Sequence, residues 1–363
     1  MFYAPVYNST EDPGSRELVA TNLGIAGWPD GTGVPRSTVH WDRMTAWASC
    51  TGFERRKRMA SDPAAEIDLV GVRFDGMGRS PGQAGAPQAL RAVGLETALP
   101  AAELTSDVIL PAPTSARSPA GFINEPALLA MVDTVYSRVG HSLRTGRFPL
   151  LYGADCAVLL AAIPALRDTT GRAGLLFVDA HEDATTMEQS DTGEAASMEI
   201  ALLLGLTGTH APEPLRSRLP ALDRDTIVML GQRDHLYRRQ IGVPTIAGQV
   251  PLHPLEELRG DPAGIATDAA DYLVRHAHGW WLHIDLDVLA GSEFPACDAA
   301  TDPATPDGLT WTELVTVTTA ALRTGGCRGC SIGVYNTDLD PGGHAATRIV
   351  AFIADVAAHA RPG

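Results

Sequence analysis

The sequence predicts an α/β fold with three layers, in which helices cover both faces of a mostly parallel central sheet. Short apolar runs alternate with longer segments of helical periodicity over most of the chain. Polar residues that can carry chemistry, among them Asp155, Asp179 and Asp285, follow several of these apolar runs directly. Since ligands of parallel α/β sheets bind at the carboxyl ends of the strands, we expect these residues at one edge of the sheet.

The predicted elements follow one another in a regular order. Apolar runs of strand length and composition predict strands at 67–72, 148–152, 173–178, 226–230, 280–284 and 330–335. Helical spacing of apolar residues predicts helices at about 86–91, 125–143, 157–166, 198–204, 262–276, 311–323 and 345–358. Such alternation is typical of parallel strands, which need crossover connections.

Composition limits the classes of function. The chain has 363 residues, of which 45% are hydrophobic, and a formal net charge of −15. This acidic balance argues against nucleic-acid binding, which needs clustered positive charge. We expect no membrane partner, because no apolar run reaches the roughly 18 residues of a transmembrane helix. The first residues do not resemble a signal peptide, and the five scattered cysteines do not resemble a secreted disulfide framework, so the expected location is the cytoplasm.

Two regions are predicted from the change in composition along the chain. Residues 1–64, rich in glycine, proline and threonine, are predicted to be an N-terminal extension that packs on the main domain or at a subunit contact. Residues 65–363 are predicted to form the α/β domain itself.

The first cluster of candidate metal ligands follows the strand predicted at 173–178. In an extended backbone alternate residues share a face, so Asp179, His181 and Asp183 point the same way. Three such groups are costly to remove from water unless a cation or hydrogen-bond donors satisfy them. The cluster therefore indicates a metal site, with a polar loop that carries one structural histidine as the alternative.

The second cluster follows the strand predicted at 280–284. Asp285 and Asp287 again place two carboxylates on one face of a strand end. Two carboxylates at a single strand end are weak evidence for a metal site. Two such strand ends in one chain, however, supply ligands of the kind that holds paired divalent ions. The strand also contains His283, which we assign to the opposite face from the ligands, as a packed or supporting histidine.

An ordered set of motifs resembles the ureohydrolase superfamily, which includes arginase and agmatinase, and marks the chain as a divergent member. The motifs span about residues 65–358 and read Gly71-Val72-Arg73-Phe74-Asp75, Asp179-Ala180-His181-Glu182-Asp183, His283-Ile284-Asp285-Leu286-Asp287, Pro306-Asp307-Gly308-Leu309-Thr310 and Asn336-Thr337-Asp338-Leu339-Asp340. The resemblance implies a three-layer α/β/α fold and a homo-oligomer. It also implies two Mn²⁺ ions that activate a bridging hydroxide, which attacks a guanidinium carbon.

The resemblance also implies a set of ligands. Asp179, His181, Asp183, Asp285 and Asp287 match the family pattern, and Asp183 would also help to orient the hydroxide. At the position of the sixth ligand, where the family has histidine, this chain has Cys156. Two interpretations of Cys156 stay open. Its sulfur is a softer ligand that favours Zn²⁺, in a centre with two ions or one, or Cys156 is a buried apolar residue beside a first metal position that is weak or empty.

Substrate recognition departs from the family pattern. Ala196 falls near the position where arginases have a supporting histidine. Val334 falls near the position of the glutamate that binds the guanidinium, and Leu236 near that of the acid that binds the substrate α-amino group. The resemblance, with these departures, implies a substrate other than free arginine.

Four further residues are candidates for roles at the site. Together with Asp183, His235 is a candidate catalytic residue, which would transfer a proton. The candidate substrate contacts are Glu188, Glu194 and Arg233.

Three hypotheses follow. The first is a metal-dependent hydrolase that cleaves a C–N bond of a guanidino or amidino compound by metal-activated hydroxide. The second is an amide hydrolase with one ion of the Zn²⁺ type, similar to deacetylases, and the third is a non-catalytic ureohydrolase-like protein. Metal content separates them, at about two, one or no ions per protomer.

Overall fold

One sheet forms the centre of the protein. The structure is a computed structural model that describes residues 66–297 and 307–360, so the extension predicted at 1–64 lies outside the described residues. All strand pairings in the sheet are parallel. The strands are β1 Ile67–Val72, β2 Glu103–Leu104, β3 Phe148–Gly153, β4 Ala173–Val178, β5 Ile227–Leu230, β6 Leu252–His253, β7 Gly279–Asp285 and β8 Cys327–Gly333.

The strand order brings the candidate ligands together. It runs β2-β1-β3-β8-β7-β4-β5-β6, so β3, β8, β7 and β4 are adjacent at the centre. The carboxyl ends of three of these strands are level, because Val178 pairs with Ile284 and Asp285 pairs with Gly333. Residues that follow these strands therefore meet at one edge of the sheet, as the sequence predicted.

The described ranges contain eleven α-helices, of which the first ten lie between strands and the last follows β8. Within those ranges, no helix combines the length and the apolar character that crossing a membrane requires. The helices are α1 Pro81–Ala92, α2 Leu95–Ala98, α3 Glu125–Arg144, α4 Leu159–Thr170, α5 Glu199–Leu203, α6 Leu215–Arg218, α7 His235–Ile241, α8 Leu255–Gly260, α9 Pro262–His276, α10 Trp311–Thr324 and α11 His344–His359.

The sheet separates two hydrophobic cores, because successive side chains of a strand point to opposite faces. Leu69 and Leu176 pack into a core with α9, α10 and α11, whereas their neighbours Val70 and Phe177 pack into a core with α3 and α4. Burying both faces explains why the strands read as continuous apolar runs rather than as alternating ones. The predicted three-layer α/β/α fold is confirmed.

Most predicted elements are present, and the differences have local causes. The strands β1 and β4 and the helix α9 have the predicted bounds. The strand β8 ends at Gly333 rather than at 335, because Val334 adopts a left-handed φ of 61° and leaves the sheet. The helix α1 begins at Pro81, where a proline fits the first turn, rather than near 86. The two-residue strands β2 and β6 were not predicted, since they are too short to carry a pattern.

Gly329→Ala is expected to lower the free energy of unfolding by about 1–3 kcal/mol, which is typical of overpacking a core. Gly329 pairs with Trp281 across β8 and β7, and a Cβ atom there would come 2.1 Å from the Trp281 ring. Denaturant titration measures the change. Gly260→Ala is the matched control, because a Cβ atom at Gly260 meets nothing within 4 Å. Equal stability of the two variants would contradict the packing described here.

Candidate metal centre

The centre lies at the carboxyl ends of β3, β4 and β7. Asp179 follows β4 directly and Asp285 is the last residue of β7. After β3, a 3₁₀ turn at Cys156–Val158 carries the thiol, and the Asp155 side chain caps this turn by accepting from the Ala157 amide at 3.0 Å. The sheet thus positions all three side chains through strand ends or a capped turn.

The same kind of backbone hydrogen bond orients Asp179 and Asp285. Each carboxylate accepts a backbone hydrogen bond at 2.7 Å through Oδ1 from the amide two residues later, which belongs to His181 in one case and to Asp287 in the other. The Oδ2 atoms face the Cys156 thiol, which donates to Asp285 Oδ2 at 2.8 Å and to Asp179 Oδ2 at 3.6 Å. One oxygen of each carboxylate is therefore fixed by the backbone, and the other contacts the thiol.

One side of the centre is built around His181. Its Nδ1 lies 3.0 Å from Asp287 Oδ2 and 3.5 Å from Asp179 Oδ1, so one imidazole and two carboxylates offer donor atoms within 4.8 Å of one another. The Ala180 amide donates to the other oxygen of Asp287 at 3.3 Å. This His181 side has only nitrogen and oxygen donors.

The other side is built around Cys156. Donor atoms of Cys156, Asp183 and Glu199 also lie within 4.8 Å of one another. Asp183 adopts a left-handed φ of 43°, which turns the chain at the end of the ligand loop, and its carbonyl accepts from the Ile200 amide at 3.1 Å. That bond ties the ligand loop to α5, which begins at Glu199. We did not predict Glu199 from the sequence, where it reads as an ordinary residue of an apolar helix.

Burial and mutual repulsion dominate the electrostatics of the centre. Burial, with the nearby Asp287 charge, raises the pKa of Asp179 to about 6. Burial also raises the pKa values of Asp183, Glu199 and Asp285 well above their usual range, with neighbouring carboxylates as the next cause. Burial alone would raise the pKa of Asp287, but the charge of His181 and its hydrogen bond lower this pKa below its usual value. Burial and the neighbouring acids thus disfavour the ionised carboxylates, and a cation bound among them would favour the ionised forms.

His283 corrects one sequence-based assignment. Its placement on the face opposite the ligands was wrong, because residues two apart in a strand share a face. In the structure a ring nitrogen of His283 lies within 4.8 Å of donor atoms of Cys156 and Asp179. Its Nδ1 is 2.7 Å from the Ser331 hydroxyl, and burial lowers the pKa of the imidazole to about 3, so the ring is neutral.

A cavity of about 340 Å³ opens onto the centre. The cavity is lined by candidate metal ligands, by the loop that follows β4, by the helix α7 and by the residue after β8. The lining residues include Gln83, Asp155, Cys156, His181, Asp183, Thr185, Asp191, Thr192, Glu194, Ser197, Tyr237, Arg238, Asp285, Asp287 and Val334. A small molecule in this cavity would contact both sides of the centre.

The structure brings the six predicted metal ligands together but not all the other candidates. Glu194 lines the cavity, whereas Glu188 is exposed and accepts from the Thr207 hydroxyl at 2.9 Å. The Arg233 guanidinium donates to backbone carbonyls, including that of Asp287 at 2.7 Å. His235 is exposed at the start of α7, and it borders a separate hollow together with Arg233. The roles predicted for Glu188, Arg233 and His235 stay predictions that this geometry does not support.

Two curated relatives match part of the sequence. The arginase of Saccharomyces cerevisiae is 33% identical over 102 residues, which is 28% of this chain and 31% of the relative. The arginase of Bacillus caldovelox is 27% identical over 173 residues, which is 46% of this chain and 53% of the relative. The alignments thus span between about a third and a half of these relatives.

The fold also has solved neighbours. An arginase from Bacillus subtilis superposes with a TM-score of 0.66 at 20% identity, covering 80% of this chain and 98% of that one. A formimidoylglutamase from Bacillus subtilis superposes with a TM-score of 0.62 at 16% identity, covering 86% and 95%. The sequence model of the Arginase family matches residues 65–359, which is most of the chain. This protein therefore belongs to the Arginase family.

Proposed function

We propose that this protein is a divalent-metal-dependent hydrolase that cleaves a C–N bond of a guanidino or amidino compound other than free arginine. The observation that carries the proposal is the convergence of two ligand-bearing strand ends on one cavity. The names of the relatives support the class of reaction, since arginase and formimidoylglutamase both occur among the similar proteins. We further expect a homo-oligomer in the cytoplasm that acts on a small molecule.

The donor set fits two divalent ions. His181 and Asp287 would hold one ion, Cys156 and Asp183 would hold the other, and Asp179 and Asp285 lie between the two sides. Mn²⁺ suits the nitrogen and oxygen donors of the His181 side. Such ions, when bound, act as Lewis acids and lower the pKa of water at the site towards ~7.

Asp183 is the protein group best placed to act on the attacking water. Its carboxylate lines the cavity and faces the Cys156 side of the centre. From there it would orient the water towards the substrate carbon, take up the proton from the water and return that proton to the leaving nitrogen. His235, the other candidate for this transfer, lies outside the cavity.

The cavity wall supports a substrate other than free arginine. Val334 lines the cavity at the end of β8, where the resemblance puts the glutamate that binds a guanidinium. Leu236, at the position of the acid that reads an α-amino group, is 52% exposed and does not line the cavity. Arg238 borders the cavity, but Glu182 and Asp234 hold its guanidinium at 2.5 Å and 3.0 Å. Glu194 and Asp191 are acidic residues of the cavity wall that a cationic group of a substrate could approach.

Asp179→Asn is expected to reduce bound metal from about two ions per protomer to one or fewer, because it removes the carboxylate charge between the two sides. Metal analysis after dialysis against Mn²⁺ measures the stoichiometry. Asp191→Asn is the matched control, since Asp191 is an exposed acid on the wall of the same cavity. Unchanged metal content in Asp179→Asn would refute the assigned centre.

Urea release from free arginine is expected to be negligible in the wild type and to rise in Val334→Glu. A restored carboxylate would supply a charge-assisted hydrogen bond worth about 1.5–3 kcal/mol, or about 10–100-fold in kcat/KM. Val334→Gln is the matched control, with nearly the same shape but no charge. Arginine turnover near ~10 s⁻¹ in the wild type, a typical enzyme rate, would contradict the substrate proposal.

A further inference from the structure

We propose that Glu199 is a metal ligand that joins Cys156 and Asp183 in a thiolate-containing ion position, and that this position prefers Zn²⁺ to Mn²⁺. The inference deepens the proposed hydrolase function and rests on it, since it concerns one of the two ion positions of the same centre. The chemistry of the donor atoms and two unsatisfied buried side chains carry it.

Glu199 is buried without a partner. Its side chain is fully buried, and neither carboxylate oxygen has a hydrogen-bond partner within residues 66–297 and 307–360. The groups that face it are Asp183 and Cys156, with donor atoms within 4.8 Å. A desolvated carboxylate without a donor is among the most costly groups in a protein. Glu199 and Asp183 could pair only if one of them kept a proton, whereas a cation satisfies both together with the sulfur.

His283 is the second unsatisfied side chain of this cluster. It is fully buried on β7, and its Nε2 has no hydrogen-bond partner in the part of the chain that the structure describes. A ring nitrogen of His283 lies within 4.8 Å of donor atoms of Cys156 and Asp179. Unpaired buried polar groups are rare in folded proteins. His283 and Glu199 thus belong to two donor groups that share Cys156, and each has a buried polar atom that no described residue satisfies.

The donors of the two sides differ in softness. On the Cys156 side a sulfur lies 2.8 Å from Asp285 Oδ2 and 3.6 Å from Asp179 Oδ2, so an ion there would have one sulfur and several carboxylate oxygens. On the His181 side the donors are one imidazole and carboxylates alone. Thiolate favours Zn²⁺, whereas nitrogen and oxygen donors accept Mn²⁺. The centre is thus built for two different ions.

X-ray absorption at the zinc edge tests the sulfur ligand directly. Full-length protein loaded with one equivalent of Zn²⁺ is expected to show a sulfur shell at ~2.3 Å beside lighter atoms at ~2.0–2.2 Å. Cys156→Ser is expected to lose that sulfur shell. Cys297→Ser, which removes another buried thiol bordering the same cavity, is expected to keep it. A zinc site without sulfur in the wild type would overturn the inference.

Glu199→Gln tests the carboxylate through stability and affinity. Zn²⁺ affinity is expected to fall at least ~10–100-fold, the loss typical of removing even an outer partner of a metal ligand. The metal-free variant is expected to be at least as heat-stable as the metal-free wild type, because it loses an unpaired buried acid. At one Zn²⁺ concentration, the melting temperature is expected to rise less in the variant than in the wild type. A purely structural Glu199 would give the opposite result, with lower metal-free stability and an unchanged shift on adding Zn²⁺.

His181→Ala separates this inference from the proposed function. It removes a donor of the other side only, so it is expected to lose Mn²⁺ while the zinc–sulfur shell stays. If the wild type shows that shell but releases no urea or ammonia from any guanidino or amidino compound, the proposed function fails and the inference stands. If it hydrolyses such compounds but binds zinc without sulfur, the inference fails and the function stands.

Discussion

Repulsion among buried carboxylates is the constraint on which the rest of this structure depends. Asp179, Asp183, Glu199 and Asp285 are crowded at one edge of the sheet, and burial raises the pKa of each. Asp179, Glu199 and Asp285 are removed from water, so the fold has to hold them in place by other means. The level ends of β4 and β7 bring Asp179 and Asp285 together, whereas Asp183 is held on the ligand loop and Glu199 at the start of α5.

Ligand spacing in this chain has a direct physical cause. In both strand-end clusters a carboxylate accepts the amide hydrogen of the residue two positions later, at 2.7 Å. The same bond orients the first acid and places the second ligand, His181 or Asp287, at the start of the turn. In this chain the alternating ligands are therefore held by a hydrogen-bonded turn, and not by the extended strand end from which the sequence predicted them.

Residues whose roles follow from local patterns could be predicted, whereas those that depend on distant contacts could not. The strand β4 follows from its continuous apolar run, but the ligands after it lie in a loop rather than on one face of an extended strand, because Asp183 adopts a left-handed φ of 43°. Nothing in the sequence marks Glu199, whose carboxylate lies near Cys156 and Asp183 at the start of α5, where the Ile200 amide donates to the Asp183 carbonyl. Arg233 seemed available to a substrate, but its guanidinium is occupied by carbonyls of the loop that follows β7.

The two outer strands of the sheet have a consequence for assembly. β2 and β6 contain two residues each, so the sheet offers little exposed backbone along which the strand of another molecule could align. Short edges of this kind protect parallel sheets from uncontrolled edge-to-edge growth into aggregates. Within the described residues, a contact between two copies of the sheet along β2 or β6 would therefore gain only a few backbone hydrogen bonds.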